Sequence, residues 1–411
     1  MVVSGQDGGR VIAERAEAFV GGVVARLRRP EQRRNAFVYV RGMLVEGPRK
    51  SLEPTVVRLG GGAVEYEALQ HFLADARWDW ELVMRSVCER VAPQIVPLAW
   101  VLDDSGWVKE GNKSPGVARQ YSGTLGKIGN CQIGVSLHAA GRVGTLPLGW
   151  QLYLPEVWCE DTAEARERRR KAKIPEGVVF ATKPQQALEL ARRAAGWAIQ
   201  RAPVLGDAAY GRDGDLRAGL HELGLEYVLS IDPPVTFYDA DTVFAVPPRQ
   251  GTKGRSPTKP QPDRPHRSAQ QIALSLGSDA FQPVCYREQD SRGKRRVGRF
   301  AFERVIAVKP IKNGKDAREE WLIIEWPVGR DKPTDYWISN LPADADHEQL
   351  AKLCRLRWTI ELDYKQLKGH LGLDHYEGRS WGGWHKHATL VTVAHAFLTE
   401  ERLHPKAQRP S

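Results

Sequence analysis

Hydrophobic positions recur along this chain with two different periods, and the change from one to the other marks its organisation. Up to about residue 95 the period is helical. Val11 to Arg28 and Glu67 to Val91 each read as an amphipathic helix, and Gly60-Gly61-Gly62 interrupts the pattern between them. After Pro97 the period changes. Leu98-Ala99-Trp100-Val101-Leu102 is an apolar run of strand length that leads into Asp103-Asp104 and a turn expected at Gly106. Cys131 to His138 alternates as a strand, Leu146 to Leu154 reads as its neighbour, and Thr162 to Lys173 and Pro184 to Arg201 are helical. A further short strand, Pro203-Val204-Leu205, runs into Gly206-Asp207-Ala208-Ala209-Tyr210-Gly211, followed by a helix from Arg212 to Leu223 and a strand from Tyr227 to Ile231.

Three strands followed by helices and then further strands predict an α/β fold with an RNase H-like core, a mixed sheet flanked by helices. From about Val235 to Leu341 short β-like runs such as Val305-Ile306-Ala307-Val308 and Trp321 to Trp326 alternate with turns, which predicts an inserted β-rich subdomain. Within it Pro247 to Arg267 is Pro-rich and basic, as a mobile arm following a DNA backbone would be. The expected divisions are therefore a helical N-terminal region over 1–95, the first part of the core over 96–234, the insertion over 235–341, and completion of the core over 342–411 with a helix from His347 to Gly369 and a C-terminal helix around Ala388 to Leu398.

Composition adds a partner to this outline. With 411 residues, of which 42% are hydrophobic, the chain is long enough for more than one core, and a net charge of +10 points to a polyanion. Arg33, Arg34, Arg41, Arg49 and Lys50 give the helical region a cationic face suited to DNA phosphates. The Gly-rich stretch from Lys109 to Asn130 offers Lys113, Arg119 and Lys127 to phosphates, yet its glycines match neither nucleotide-loop spacing. Five scattered cysteines with no C-x-x-C pair indicate neither a zinc site nor a disulfide framework. With no apolar run of membrane-spanning length and no export signal, the expectation is a cytoplasmic protein with no membrane partner.

Three acidic positions stand out. Asp103 and Asp104 follow a buried strand, where a carboxylate needs a cation or a basic partner. Asp207 follows another strand and is either a metal ligand or the cap of the next helix. On the helix from His347 to Gly369, Leu353, Leu356, Ile360, Leu367 and Leu371 form the buried stripe, and Arg357, Glu361, Tyr364, Lys365 and Lys368 lie along one side of it. A carboxylate in a row of cations suits a metal-bound phosphodiester, while an ion-pair ladder at i, i+4 is the competing explanation. His375, His385, His387 and His395 read as packing residues, and Trp321, Trp326 and Trp337 as strand aromatics of which any could stack on an unpaired base.

Asp103, Asp207 and Glu361 in this order, with a β-rich stretch before the last, resemble the DDE transposases of bacterial insertion sequences. Arg357-x3-Glu361-x6-Lys368 is similar to the Tyr-Arg-Glu-Lys signature of the subgroup with a β insertion before the Glu, although the Tyr position is Cys354 here. V-L-D-D-S-G-W (101–107), G-V-A-R-Q-Y-S-G-T-L-G-K-I-G-N-C-Q (116–132), G-D-A-A-Y-G (206–211) and L-D-Y-K-Q-L-K-G-H-L-G-L-D-H-Y-E-G-R-S-W (362–381) resemble blocks of that family, and the likeness runs from Leu98 to Leu398. The resemblance implies that two Mg²⁺ ions, or Mn²⁺ in their place, are held by Asp103, Asp207 and Glu361, with Asp104 the alternative to Asp103. It further implies that the protein cuts double-stranded DNA at the element's inverted repeats, joins the 3′ ends to target DNA, and acts as a homodimer on DNA. Arg357 and Lys368 would hold the scissile strand, with Lys365 and Tyr364 also among the DNA contacts. An RNase H-like nuclease without strand transfer, and a non-catalytic DNA-binding descendant, are the alternatives.

Overall fold

The computed structural model describes residues 6–123, 126–248, 258–288, 293–309 and 317–403. In chain order, helices α1 (Gln6–Val24), α2 (Pro30–Leu44), α3 (Leu52–Arg58), α4 (Ala63–Ala74) and α5 (Trp80–Ile95) precede strands β1 (Pro97–Val108), β2 (Ala118–Ser122), β3 (Lys127–Gly141) and β4 (Thr145–Leu152). Helices α6 (Ala163–Lys171) and α7 (Lys183–Ala195) lead to β5 (Val204–Gly206), α8 (Ala208–Gly211), α9 (Gly214–Glu222) and β6 (Tyr227–Ile231). Then come β7 (Thr236–Asp239), β8 (Phe244–Ala245), β9 (Gln261–Pro262), β10 (Arg267–Ser268), α10 (Ala269–Leu276), β11 (Gln282–Arg287), β12 (Arg296–Ala307), β13 (Glu319–Glu325) and β14 (Asp335–Ser339). Helices α11 (His347–Leu356), α12 (Thr359–Gly369) and α13 (Trp381–Leu403) close the described chain. Two compact units result: residues 1–98, 103–201 and 359–411 form one, and residues 99–102 and 202–358 the other.

In the first unit β3 pairs antiparallel with β2 through Ala118↔Cys131 and with β4 through Val135↔Gln151, and β1 is its other neighbour. Helix α13 packs against α1, α2, α4, α5 and β4. It is buried along most of its length, as an element covered on several sides must be. Two of its polar side chains are met from neighbouring elements: Lys386 Nζ donates to Leu73 O at 3.1 Å, and Thr392 Oγ1 accepts from Trp150 Nε1 at 2.9 Å. The single helix expected over Glu67 to Val91 is two. Trp78 stacks on Phe72 with ring centroids 5.1 Å apart, and Asp79 restarts the helix by accepting from the N–H groups of Glu81 and Leu82. Among the described residues no helix is long and apolar enough to cross a membrane.

In the second unit a mixed sheet runs β10-β7-β12-β13-β14-β6-β5-β1, with β11 beside β12. Its β1 residues pair in parallel with β5 through Trp100↔Val204, and β5 with β6 through Leu205↔Val228. Within residues 235–341, strands β7, β10 and β11 to β14 belong to this sheet. β14 pairs antiparallel with β6 through Ile338↔Leu229, so these strands extend one sheet rather than start another. Of the basic Pro-rich arm, residues 249–257 lie outside the described residues. The segments on either side of them form the short β8–β9 pair, with Arg264 on Asp241 and Arg267 on Asp239. Aspartates already neutralise those two arginines.

Gly211 in G-D-A-A-Y-G has a reason that the fold supplies. A Cβ there would stand 1.9 Å from Ser230 O on β6, so only glycine lets α8 close on the sheet. Gly211→Ala should destabilise the protein by about 1–3 kcal/mol, read as a lowered denaturant midpoint; an unchanged midpoint would contradict this packing.

Two buried histidines on α13 give a pH dependence. His387 accepts from Tyr39 Oη at 2.8 Å and donates to Leu373 O at 3.1 Å, while His385 donates to Trp381 O at 3.0 Å, and burial pushes both down to about 4. The unfolded chain, titrating near 6.5, takes up protons that the native state refuses, so stability is lost as pH falls from about 6.5 towards 4. Urea unfolding at about pH 7.5 and about pH 5 should show the lower midpoint in acid, and His385→Asn should shrink the difference.

Candidate active site

Strand β1 does not turn at Gly106; it runs on to Val108, and Asp103 and Asp104 lie in its middle. Gly106 is needed for close approach instead, since a Cβ there would meet Ser122 Oγ of β2 at 2.0 Å. Because consecutive strand residues point to opposite faces, the two acids part company. Asp104 Oδ2 receives Lys183 Nζ of α7 at 3.0 Å. Asp103 accepts the Asp104 N–H at 2.8 Å on Oδ1, and its charge bears on Tyr364 and Lys368 of α12. Burial, then Asp103, raises the Tyr364 hydroxyl well above its ordinary value. Burial lowers Lys368, with Asp374 and Asp103 working in the opposite direction.

The helix expected from His347 to Gly369 is broken at Arg357-Trp358, and its two halves pack on different elements. α11 lies on β11 and β6, whereas α12 lies on β3, β4 and α13. Of the expected apolar stripe, Leu353 on α11 and Ile360, Leu367 and Leu371 on and after α12 are buried, while Leu356, at the end of α11, is half-buried. Glu361 is exposed in the first turn of α12, and Lys365 and Lys368 follow on the same side one and two turns later. Lys368 Nζ donates to Gly106 O at 3.0 Å and lies 5.5 Å above the Trp107 ring. Tyr364, expected among the DNA contacts, is buried with its hydroxyl 2.7 Å from Ser136 Oγ, so it faces the core. In the second unit Arg357 lines a groove with Arg287, Arg296 and Trp358.

Asp207 lies in the second unit, half-buried, and its Oδ1 caps α8 by accepting the Ala209 N–H at 2.9 Å. The capped helix is α8; the expected helix after Arg212 has its own cap, Asp213. Lys113, Arg119 and Lys127 are exposed, and Arg119 and Lys127 belong to a β2–β3 hairpin where a loop was expected. Among the described residues no three His, Cys, Asp or Glu side chains are grouped as a metal site. As a donor set, Asp103, Asp207 and Glu361 are hard carboxylate oxygens, the type that Mg²⁺ and Mn²⁺ take.

Sequence reasoning passed over Asp363. It is buried on α12, with Oδ2 2.7 Å from His138 Nδ1, His395 Nε2 3.3 Å from Oδ1, and the Thr145 hydroxyl donating to Oδ1. Burial alone would raise this carboxyl; His395 and His138 outweigh it and hold it well below the usual carboxylate range. The available signal was His138 two residues after Ser136 on a strand, which places both on one face. Trp358 was also missed: it is 39% exposed under the Arg287 guanidinium, while Trp321 and Trp337 are core.

Residues 23–293 match the family described as DDE superfamily endonuclease, a stretch that contains Asp103 and Asp207 and ends before Glu361. A probable transposase for insertion sequence element IS701 from Microchaete diplosiphon is 30% identical over 201 residues, 48% of this chain and 48% of that protein. The match thus spans about half the length of that relative. With the family match covering well over half of its 411 residues, the chain belongs to the DDE superfamily of endonucleases.

Proposed function

We propose that the protein is a transposase that cuts DNA at the ends of an insertion sequence and joins the 3′ ends to target DNA, using divalent cations held by Asp103, Asp207 and Glu361. The observation that carries this reading is the separation of the two acids on β1. Asp104 is committed to Lys183, while Asp103 addresses the side of α12 that also bears Glu361. The parallel β1, β5 and β6 and the antiparallel β3 support an RNase H-like core. The relative named for insertion sequence element IS701 supports the substrate class.

When bound, Mg²⁺ or Mn²⁺ supplies an activated water for the cut and charge stabilisation of the departing 3′ oxygen. The chain's own residues do the rest. Lys365, Lys368 and Arg357 neutralise the scissile strand, and Arg119, Lys127 and Lys113 follow the backbone beyond it. Lys368, already seated on Gly106 O, keeps its charge near Asp103 and so holds a phosphate beside the first ligand. The protein works as a homodimer assembled on the paired DNA ends.

The protein, Mg²⁺ and a DNA carrying the ends of its own gene's element should yield ends joined into a second plasmid. Asp103→Asn, Asp207→Asn and Glu361→Ala should each fall to background. Asp104→Asn should retain joining and lose no more than about 1 kcal/mol of stability, the worth of a partly exposed ion pair. If Asp104→Asn abolished joining while Asp103→Asn did not, the assignment would reverse. Products cut but never joined would reduce the protein to a nuclease. Binding to end DNA should weaken about 10²-fold or more between about 50 and 200 mM salt; salt-independent binding would remove the phosphate contacts from the account.

A further inference from the structure

Glu361 stands in solvent at the first turn of α12, between the buried Ile360 and Leu362, which is 56% exposed. The helix is held by its inward side. Ile360, Asp363, Tyr364 and Leu367 are its buried side chains, and two of the four are polar.

Those two are gripped from three elements. Asp363 takes His138 of β3 on Oδ2 at 2.7 Å and the hydroxyl of Thr145 of β4 on Oδ1, with His395 of α13 at 3.3 Å. The Tyr364 hydroxyl is 2.7 Å from Ser136 Oγ, which is itself 3.0 Å from His138 Nε2. A continuous clasp therefore runs Thr145–Asp363–His138–Ser136–Tyr364, and its last member lies beside Asp103.

Apolar contacts tolerate a small rotation or slide of a helix. A buried carboxylate held by directional partners does not, because misalignment leaves an ionised group unpaired in the core. Asp363 is two residues from Glu361, a rise of about 3 Å along the helix axis, so any rotation of one is carried to the other.

We propose that Asp363 is a positioning residue for Glu361: the clasp to β3, β4 and α13 sets the rotation of α12 and thereby the direction in which Glu361 presents its carboxylate to a divalent cation. This rests on Glu361 being a metal ligand. Supporting groups behind a ligand generally change metal affinity about 10- to 100-fold when removed.

Binding of Mn²⁺ to the full-length protein on end DNA, followed by loss of the free-ion electron paramagnetic resonance signal, tests it without a turnover. Thr145→Val, which deletes one hydroxyl at constant shape, and Asp363→Asn should weaken Mn²⁺ binding about 10-fold or more. DNA affinity should hold, and Thr145→Ser should restore the metal affinity. Should Asp363→Asn fail to fold, Thr145→Val and Thr145→Ser decide the matter. Wild-type Mn²⁺ affinity in Thr145→Val overturns the proposal, as does a parallel loss of DNA and metal binding that Thr145→Ser does not rescue. Glu361→Gln is the control for the underlying reading. If it binds Mn²⁺ as tightly as wild type, Glu361 is no ligand and the inference falls with that assignment, whatever the Thr145 variants do.

Discussion

The pleat of β1 is the constraint on which the site depends. Two adjacent carboxylates in the middle of a sheet strand must point to opposite faces, and neither can remain half-buried without an answering charge. One face answers Asp104 with Lys183. The other sets Asp103 against α12, whose Lys368 is tied to Gly106 O of the same strand. The strand thus gives the two acids different surroundings, Lys183 for one and α12 for the other, without any difference between the two side chains themselves.

The break at Arg357-Trp358 is the second consequence of packing. A helix continuous from His347 to Gly369 would serve a single surface, but its two halves belong to different compact units. α11 is fastened by Leu350, Leu353 and Cys354, all buried, and by Arg355 pairing with Glu325. α12 is fastened by the Asp363 clasp. The β-branched Thr359 and Ile360 just after the break are poor helix formers, so little is lost by ending one helix there and beginning another.

Charge is distributed more selectively than the overall balance of +10 suggests. Arg264, Arg267 and Lys183 are taken up by aspartates, whereas Arg119, Lys127 and Lys365 are exposed. A basic composition indicates a polyanionic partner; which cations remain for it is settled by the acids that folding brings alongside.

The sequence by itself determined the helical start of the chain, the strands β1, β3, β5 and β6, the buried Leu353, Ile360, Leu367 and Leu371, the histidines of α13 as packing residues and the family, because periodicity and short motif words are local properties. It also separated Asp103, Asp207 and Glu361 from the other acids as candidates. The tertiary structure alone decided that Gly106 lies within a strand, that one expected helix is two, that residues 235–341 extend the sheet through β14, and that Tyr364 faces the core. Each of these depends on what lies across a sheet or beneath a helix: Ser122 against Gly106, Leu229 beside Ile338, Ser136 under Tyr364. Such partners are distant along the chain, and a local pattern carries no record of them. Asp363 shows the limit most plainly: in sequence it is one more acid on a charged helix, and only the arrival of His138, Thr145 and His395 makes it the buried anchor of that helix.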